Sequence, residues 1–253
     1  LDALIYTFIY IIIFLFGIVI GSFLNVLIFR IPKQEEFVKT RSHCMTCGHQ
    51  LAWYDNIPLF SWLSLKGKCR YCGAPISPQY PIIEAVNGIL YVCIFLIKGF
   101  TADAVLISLL ASMLLALSVI DFRTFEIPFG FQIAIGVLAI AHLALHYTDW
   151  AEYVIGFFAV SLVLEILLLA SKGRAIGGGD VKLMATCGLF LGWKLIILAF
   201  IVGCILGSVI HIIRMRVSKA DKVLAMGPYL SAGVMIAALF GEKLISLYLG
   251  MFH

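Results

Sequence analysis

Charge is what this sequence has least of. Lysine, arginine, aspartate and glutamate make up 13% of its 253 residues, about half the share of a soluble domain. Apolar runs of about 20 residues, enough to span a bilayer, recur instead, and the mean hydropathy is +1.07. A soluble globular chain is excluded on that ground, and a polytopic membrane protein is expected. Positive charge is also missing ahead of the first apolar run, about 4–29, where Asp2 is the sole charged residue. A secretory signal carries its cations before a shorter run, so this run reads as a transmembrane helix with its N-terminus outside. No repeat of solenoid period is visible, and no linker marks a second large domain.

What is there divides into eight spans, at about 4–29, 82–98, 104–120, 127–146, 152–171, 182–193, 195–213 and 227–250. The sixth is short and fits a broken helix, which a membrane tolerates where it lines a polar cavity. Cytoplasmic loops collect lysine and arginine. Segment 30–81 holds Arg30, Lys33, Lys39, Arg41, Lys66, Lys68 and Arg70; the loops near 175 and 220 hold Lys172, Arg174, Lys182, Arg214, Arg216, Lys219 and Lys222. These segments, with the turn carrying Arg123, are assigned to the cytoplasm. The net charge of +4 then follows from topology, and nothing calls for a nucleic-acid partner. Gly17-x-x-x-Gly21 and Gly203-x-x-x-Gly207 read as close helix contacts, and Asn25, deep in the first span, requires a polar partner.

Four of the seven cysteines, Cys44, Cys47, Cys69 and Cys72, fall in the longest polar segment. They form two Cys-x2-Cys pairs separated by 21 residues, each followed by glycine (Gly48, Gly73). Two such knuckles supply four thiolates to one tetrahedral ion, the pattern of a closed structural zinc site. Two disulfides or free thiols are the alternatives, and a reducing cytoplasm disfavours the first. His43 and His49 read as surface residues. Cys93, Cys187 and Cys204 lie in apolar runs and read as small hydrophobes.

Acids beside membrane spans are costly and usually functional. Asp121 directly follows one apolar run, and Asp180 precedes another, behind Gly177, Gly178 and Gly179. Both are expected at the cytoplasmic rim. Two carboxylates sharing one proton make an aspartic dyad: one activates water and the other polarises a carbonyl. The glycines are read as backbone freedom for close approach of a substrate strand. A helix N-terminus beside Asp180 favours its charged form, so Asp180 is read as the base. Taken singly, Asp121 reads equally as a helix-end cap or a partner of Arg123, and Asp180 as an N-cap. Glu84, Glu126 and Glu165 are competing acids.

The stretches GSFLNVLIFRIP (21–32), WYDNIPLFSWLSLKGKCRYCGAPIS (53–77), YPIIE (80–84), IDFRTFEIP (120–128) and GGGD (177–180) resemble the prepilin peptidases, or type IV leader peptidases, over nearly the whole chain. The resemblance implies an all-α polytopic membrane aspartyl protease of about eight transmembrane helices. Its parts are a first helix (1–29), a small cytoplasmic zinc-binding loop domain (30–81) and a transmembrane protease core (82–253). It implies Asp121 and Asp180 as the catalytic pair, and Cys44, Cys47, Cys69 and Cys72 as the ligands of a structural zinc. The implied activity is cleavage of the basic leader of prepilins or pseudopilins, after a glycine, at the cytoplasmic face of the bacterial inner membrane. N-methylation of the new terminus with S-adenosylmethionine follows in many members. The sequence departs from the usual pattern at Met45, Gln79 and Phe129. A peptidase without methyltransferase activity is the nearest alternative. An ion-coupled transporter also fits intramembrane acids and a glycine-broken helix, but no inverted repeat accompanies them.

Overall fold

The structure is a computed structural model that describes residues 2–36, 39–174, 176–218 and 224–251. Ala175, Lys219 and Lys222 lie outside the described residues. Regular structure among the described residues is helical, apart from two isolated bridges. The chain divides into two compact units, 1–101 and 102–253.

The first unit is built on α1 (Asp2–Arg30) and α3 (Gln79–Lys98), with the short α2 (Phe60–Ser64) in the intervening loop. Helix α1 ends where Pro32 follows Ile31, since proline lacks an amide and cannot extend the ladder. Glycines let α1 and α3 touch along their backbones. A Cβ on Gly17 would stand 2.6 Å from Gly88 Cα, and one on Gly21 would stand 2.8 Å from Glu84 Cα. The amide of Asn87 donates to the Gly17 carbonyl at 2.7 Å. Asn25 finds the polar partner it requires in the Tyr80 carbonyl, at 3.1 Å. Arg30 is buried, and its guanidinium donates to the carbonyls of Glu36, Thr40 and Arg41, at 2.8–3.3 Å. A cation at a helix end thus ties the start of the polar loop.

The second unit contains α4 (Ala102–Thr124), α5 (Phe129–Leu145), α6 (Trp150–Ala159), α7 (Ser161–Ala170), α8 (Gly178–Leu191), α9 (Trp193–Ser218) and α10 (Gly227–Gly250). Helix α4 packs against α5 and α10, α8 against α5 and α6, and α9 against α10. Ile107, Leu110, Ala111, Leu114, Leu117 and Ile120 bury one side of α4. Its Ser108, Ser112 and Ser118 hydroxyls donate to the carbonyls four residues back, at 2.7, 3.2 and 2.6 Å. No serine hydroxyl among these three is left unsatisfied in an apolar interior. Gly203 meets Leu230 and Gly207 meets Tyr229, so the small-residue pattern of α9 does mark a helix contact.

Among the described residues, six helical segments are long and apolar enough to cross a membrane: 4–33, 79–98, 102–124, 147–170, 193–217 and 227–250. Two stretches read as spans from the sequence are shorter. Helix α5 has 17 residues, and α8 has 14, about 21 Å at 1.5 Å per residue. Gly192, at φ 81°, separates α8 from α9. The expected span 152–171 overlaps the segment 147–170, which bends at Val160, between α6 and α7. There the Ser161 hydroxyl bonds back to the Phe157 carbonyl, a local competitor that bends helices. The outward faces are strongly apolar, as at Phe8 and Phe16 of α1 and Leu162 and Ile166 of α7, a surface suited to lipid rather than water.

Candidate active site

Asp121 sits in the last turn of α4 and is 5% exposed. The apolar run of α4 carries the residue inward, and the chain then leaves the helix through Phe125, whose φ is +55° and whose amide donates to the Asp121 carbonyl at 2.9 Å. The Asp121 side chain does not cap its own helix. Its Oδ2 accepts from the backbone N–H of Gly227, the first residue of α10, at 2.9 Å. That helix end offers both an unpaired amide and a positive dipole end to the carboxylate.

Gly227 has no other option at this place. A Cβ there would stand 2.7 Å from Asp121 Oδ2. The sequence reading passes over Gly227; Met226-Gly227-Pro228 carries only a helix-start signal, proline in the first turn.

Asp180 lies at the third position of α8, with Gly177 as the N-cap. The expected N-cap role for Asp180 is therefore displaced by three residues. Its half-buried carboxylate reaches back to the Gly177 backbone N–H, which is half of a capping box. The Asp121 carboxylate is near enough for its charge to act on Asp180. The two acids, 59 positions apart in sequence, stand on neighbouring turns, since Ile127 after Asp121 meets Gly179 before Asp180. Each faces a helix N-terminus, so the dipole criterion that favoured Asp180 as the base does not separate them.

None of the three glycines before Asp180 has a positive φ, and Gly177 is extended at φ −77°, ψ 138°. Backbone freedom is not what the structure takes from them. Space is: a Cβ on Gly179 would stand 3.0 Å from Ile127 Cβ. The turn after Asp121 and the turn before Asp180 are thereby in contact. Gln132 of α5, 3% exposed, donates to the Gly179 carbonyl at 3.2 Å. Its Oε1 is buried without a hydrogen-bond partner among the described residues. Gln132 carried no signal in the sequence, where it stands as one amide in an apolar helix. Lys182, one turn into α8, lies 5.3 Å from the centroid of Phe129, one of the three departures from the usual pattern.

The competing acids differ in burial. Glu126 and Glu165 are exposed. Glu84 belongs to the first unit, where it is buried and accepts from the backbone N–H of Leu59 at 2.8 Å.

In the polar loop the four cysteine sulfurs all lie within 4.8 Å of one another, and Cys44 Sγ is 3.8 Å from Cys72 Sγ. The two knuckles repeat each other bond for bond at an offset of 25 residues. Cys44 donates its amide to His49 O, Gly48 to Cys44 O and Leu51 to Ser42 O; Cys69 does so to Ala74 O, Gly73 to Cys69 O and Ile76 to Gly67 O. Gly48 and Gly73 take φ of 70° and 71°, a left-handed turn that aims two sulfurs inward. Backbone amides at Cys47 and Thr46 draw the Cys44 thiol down to about 6, towards the thiolate a metal takes. Four converging sulfurs fit one tetrahedral ion with no open position. His43 and His49 are exposed and outside the cluster, His49 resting on the Tyr71 ring. Of the other cysteines, Cys187 is buried, Cys204 is intermediate and Cys93 is exposed on α3.

Comparison with known proteins gives two family matches. Residues 15–97 match the bacterial peptidase A24 N-terminal domain, and residues 108–212 match the type IV leader peptidase family. The chain is 31% identical over 264 residues to a prepilin leader peptidase/N-methyltransferase of Stutzerimonas stutzeri, covering 92% of this chain and 91% of that protein. It is 32% identical over 244 residues to the protein of that name in Bacillus subtilis (strain 168), covering 95% and 98%. The namesake of Myxococcus xanthus (strain DK1622) is 35% identical over 208 residues, which are 80% of this chain and 62% of that longer protein. No solved structure matches the chain.

Proposed function

The chain belongs to the type IV leader peptidase family, and from that premise we propose that it is a membrane aspartyl endopeptidase that removes the basic leader of prepilins or pseudopilins. Cleavage follows a glycine, at the cytoplasmic face of the bacterial inner membrane, and N-methylation of the new terminus comes next. The observation that carries the reading is the shared site of Asp121 and Asp180, two carboxylates each held by a glycine amide at a helix start.

One member of the pair is ionised and the other protonated, because like charges at short range resist double ionisation. The ionised carboxylate takes a proton from water, whose oxygen attacks the scissile carbonyl carbon. The protonated carboxyl hydrogen-bonds to that carbonyl oxygen and stabilises the charge that develops there. A proton then passes to the amide nitrogen, the C–N bond breaks, and the products are a leader ending in glycine and a free amine. The dyad titrates as a unit, so neither residue is assigned the base alone. S-adenosylmethionine, when bound, would supply the methyl group: its methyl–sulfur bond would break, the amine would lose a proton, and S-adenosylhomocysteine would leave.

The loop 30–81 is proposed as a cytoplasmic domain held by zinc at Cys44, Cys47, Cys69 and Cys72, and 82–253 as the transmembrane core. The ion has no open position for substrate, so it orders the loop and takes no part in hydrolysis.

The test uses protein purified in detergent and a prepilin with a basic leader, a glycine junction and phenylalanine. Cleavage and product mass are followed with and without S-adenosylmethionine, in wild type, Asp121→Asn and Asp180→Asn. Loss of cleavage in both variants, with a gain of about 14 Da (one methyl group) on the wild-type product, is expected; the gain reports transfer to the amine freed by the dyad. Cleavage surviving in either variant would return the search to Glu84, Glu126 and Glu165. Cleavage without the mass gain would leave a peptidase alone.

A further inference from the structure

The far end of α4 carries a second constellation that neither the peptidase nor the loop uses. Asp103 stands in the first turn of α4, 18 residues before Asp121, or about 27 Å along the helix. His142 and His146 stand one turn apart at the end of α5, with His146 as its C-cap residue. Their Nε2 atoms converge on one oxygen, lying 3.7 and 3.0 Å from Asp103 Oδ1. All three donor atoms lie within 4.8 Å of one another.

We propose that Asp103, His142 and His146 form a binding site for a divalent transition-metal ion of the zinc class, joining the start of α4 to the end of α5. The donor set is two imidazoles and one carboxylate, which suits zinc and its neighbours and not calcium or magnesium. The spacing is right as well. Ligands at about 2.0–2.1 Å from a tetrahedral ion stand about 3.3–3.4 Å apart, and the observed 3.0 and 3.7 Å bracket that value. Histidines at i and i+4 present both rings on one helix face, the same placement that chelates zinc in helical His-x-x-x-His pairs.

The surroundings hold the donors and favour a cation. The His142 ring stacks on Phe190 with centroids 4.5 Å apart, and Tyr153 meets it edge-on at 5.4 Å. Packed rings keep that imidazole from turning away. The carboxylates of Asp103, Asp149, Glu152 and Glu242 all act on Tyr153, so this end of the unit is rich in negative charge. Lys194 is paired with Glu152 at 2.8 Å. Asp103 and His146 are each about a third exposed (36% and 37%) while His142 is 12% exposed, which leaves an entry path and room for water as a fourth ligand.

The experiment must separate this ion from one bound by the cysteines. Full-length protein carrying a tag without histidine is purified in detergent, stripped of metal, and titrated with CoCl2. Cobalt on the cysteine tetrad gives near-ultraviolet sulfur-to-metal absorption; cobalt on Asp103, His142 and His146 adds visible bands without it. Equilibrium dialysis against ZnCl2 then counts the ions. Wild type is expected to hold two zinc ions per chain. Asp103→Asn and His146→Gln are each expected to hold one, with the cobalt–sulfur band intact and with prepilin cleavage kept, which shows that the helical unit carrying both residues has folded. One zinc ion or none in the wild type overturns the proposal, and so do two that persist in both variants.

Discussion

Gly227 has no side chain because Asp121 leaves no room for one. With only 2.7 Å between a prospective Cβ and Oδ2, Gly227→Ala must push the carboxylate aside or shift the start of α10. A misplacement on the scale of 1 Å can cost about 100-fold in rate, so we expect prepilin cleavage to fall by ~10–100-fold. Circular dichroism should show helix content unchanged. Asp121→Asn makes the complementary case. Its side-chain oxygen can still accept from the Gly227 amide, so the melting temperature should hold while the rate falls by ~10²–10⁴-fold, the range of acid–base catalysis. A parallel loss of stability and rate would make Asp121 a structural residue. Gln132→Leu separates the two effects differently. It removes the bond to Gly179 O and also the buried Oε1 that lacks a hydrogen-bond partner. The first costs about 1 kcal/mol and the second returns a similar amount. Stability should therefore stay level, while kcat/KM falls as the loop before Asp180 loosens; unchanged kinetics would deny Gln132 a positioning role.

At the scale of elements, α8 is the helix whose place matters most to the site, because Asp180 rides on its first turn. Its length of 14 residues is short for a bilayer, and its neighbours compensate by closeness. Gly188 of α8 meets Gly156 of α6 so nearly that each glycine's missing Cβ would collide with the other's carbonyl oxygen. Gly188→Leu should force α6 and α8 apart. Overpacking of this kind costs about 1–3 kcal/mol. We expect a lower unfolding temperature, followed by tryptophan fluorescence in detergent, and a weaker cleavage rate. Gly178, whose added Cβ would meet only Leu168 Cδ2 at 3.9 Å, is the control: Gly178→Ala should leave the unfolding temperature nearly level.

For the whole molecule, the division at 101/102 separates two kinds of stability. The second unit is held by apolar burial between helices, which a chelator does not touch. The polar loop of the first unit has small knuckles and few buried apolar side chains, and the zinc proposed for its four cysteines would supply folding free energy directly. Removal of zinc, or the pair Cys44→Ser and Cys72→Ser, should open residues 42–76 to limited proteolysis while fragments from 102–218 remain protected. Peptide mass mapping reads both outcomes in one digest. Equal protection with and without metal would show that the loop stands on its Arg70–Asp55 ion pair and the Trp62 indole bond to the Ile76 carbonyl instead.

The helical, membrane-grade character of the chain is legible in its residues alone, since apolar runs of that length have few other solutions. The sequence also marked the four cysteines by their spacing, and it offered Asp121 and Asp180 among the competing acids Glu84, Glu126 and Glu165, a choice that only the family resemblance narrowed to the pair. A carboxylate beside an apolar run and a doubled Cys-x2-Cys are local signals that need no fold to be seen. Tertiary structure alone decided what touches them. Gly227 meets Asp121 across 106 positions, Gln132 meets Gly179 across 47, and Asp103 meets His146 across 43. No periodicity encodes such pairs. The bend at Val160 and the use of Gly179 for space instead of backbone freedom belong to the same class. Each depends on which helix lies opposite, and a one-dimensional pattern of apolar residues is the same whichever neighbour is chosen.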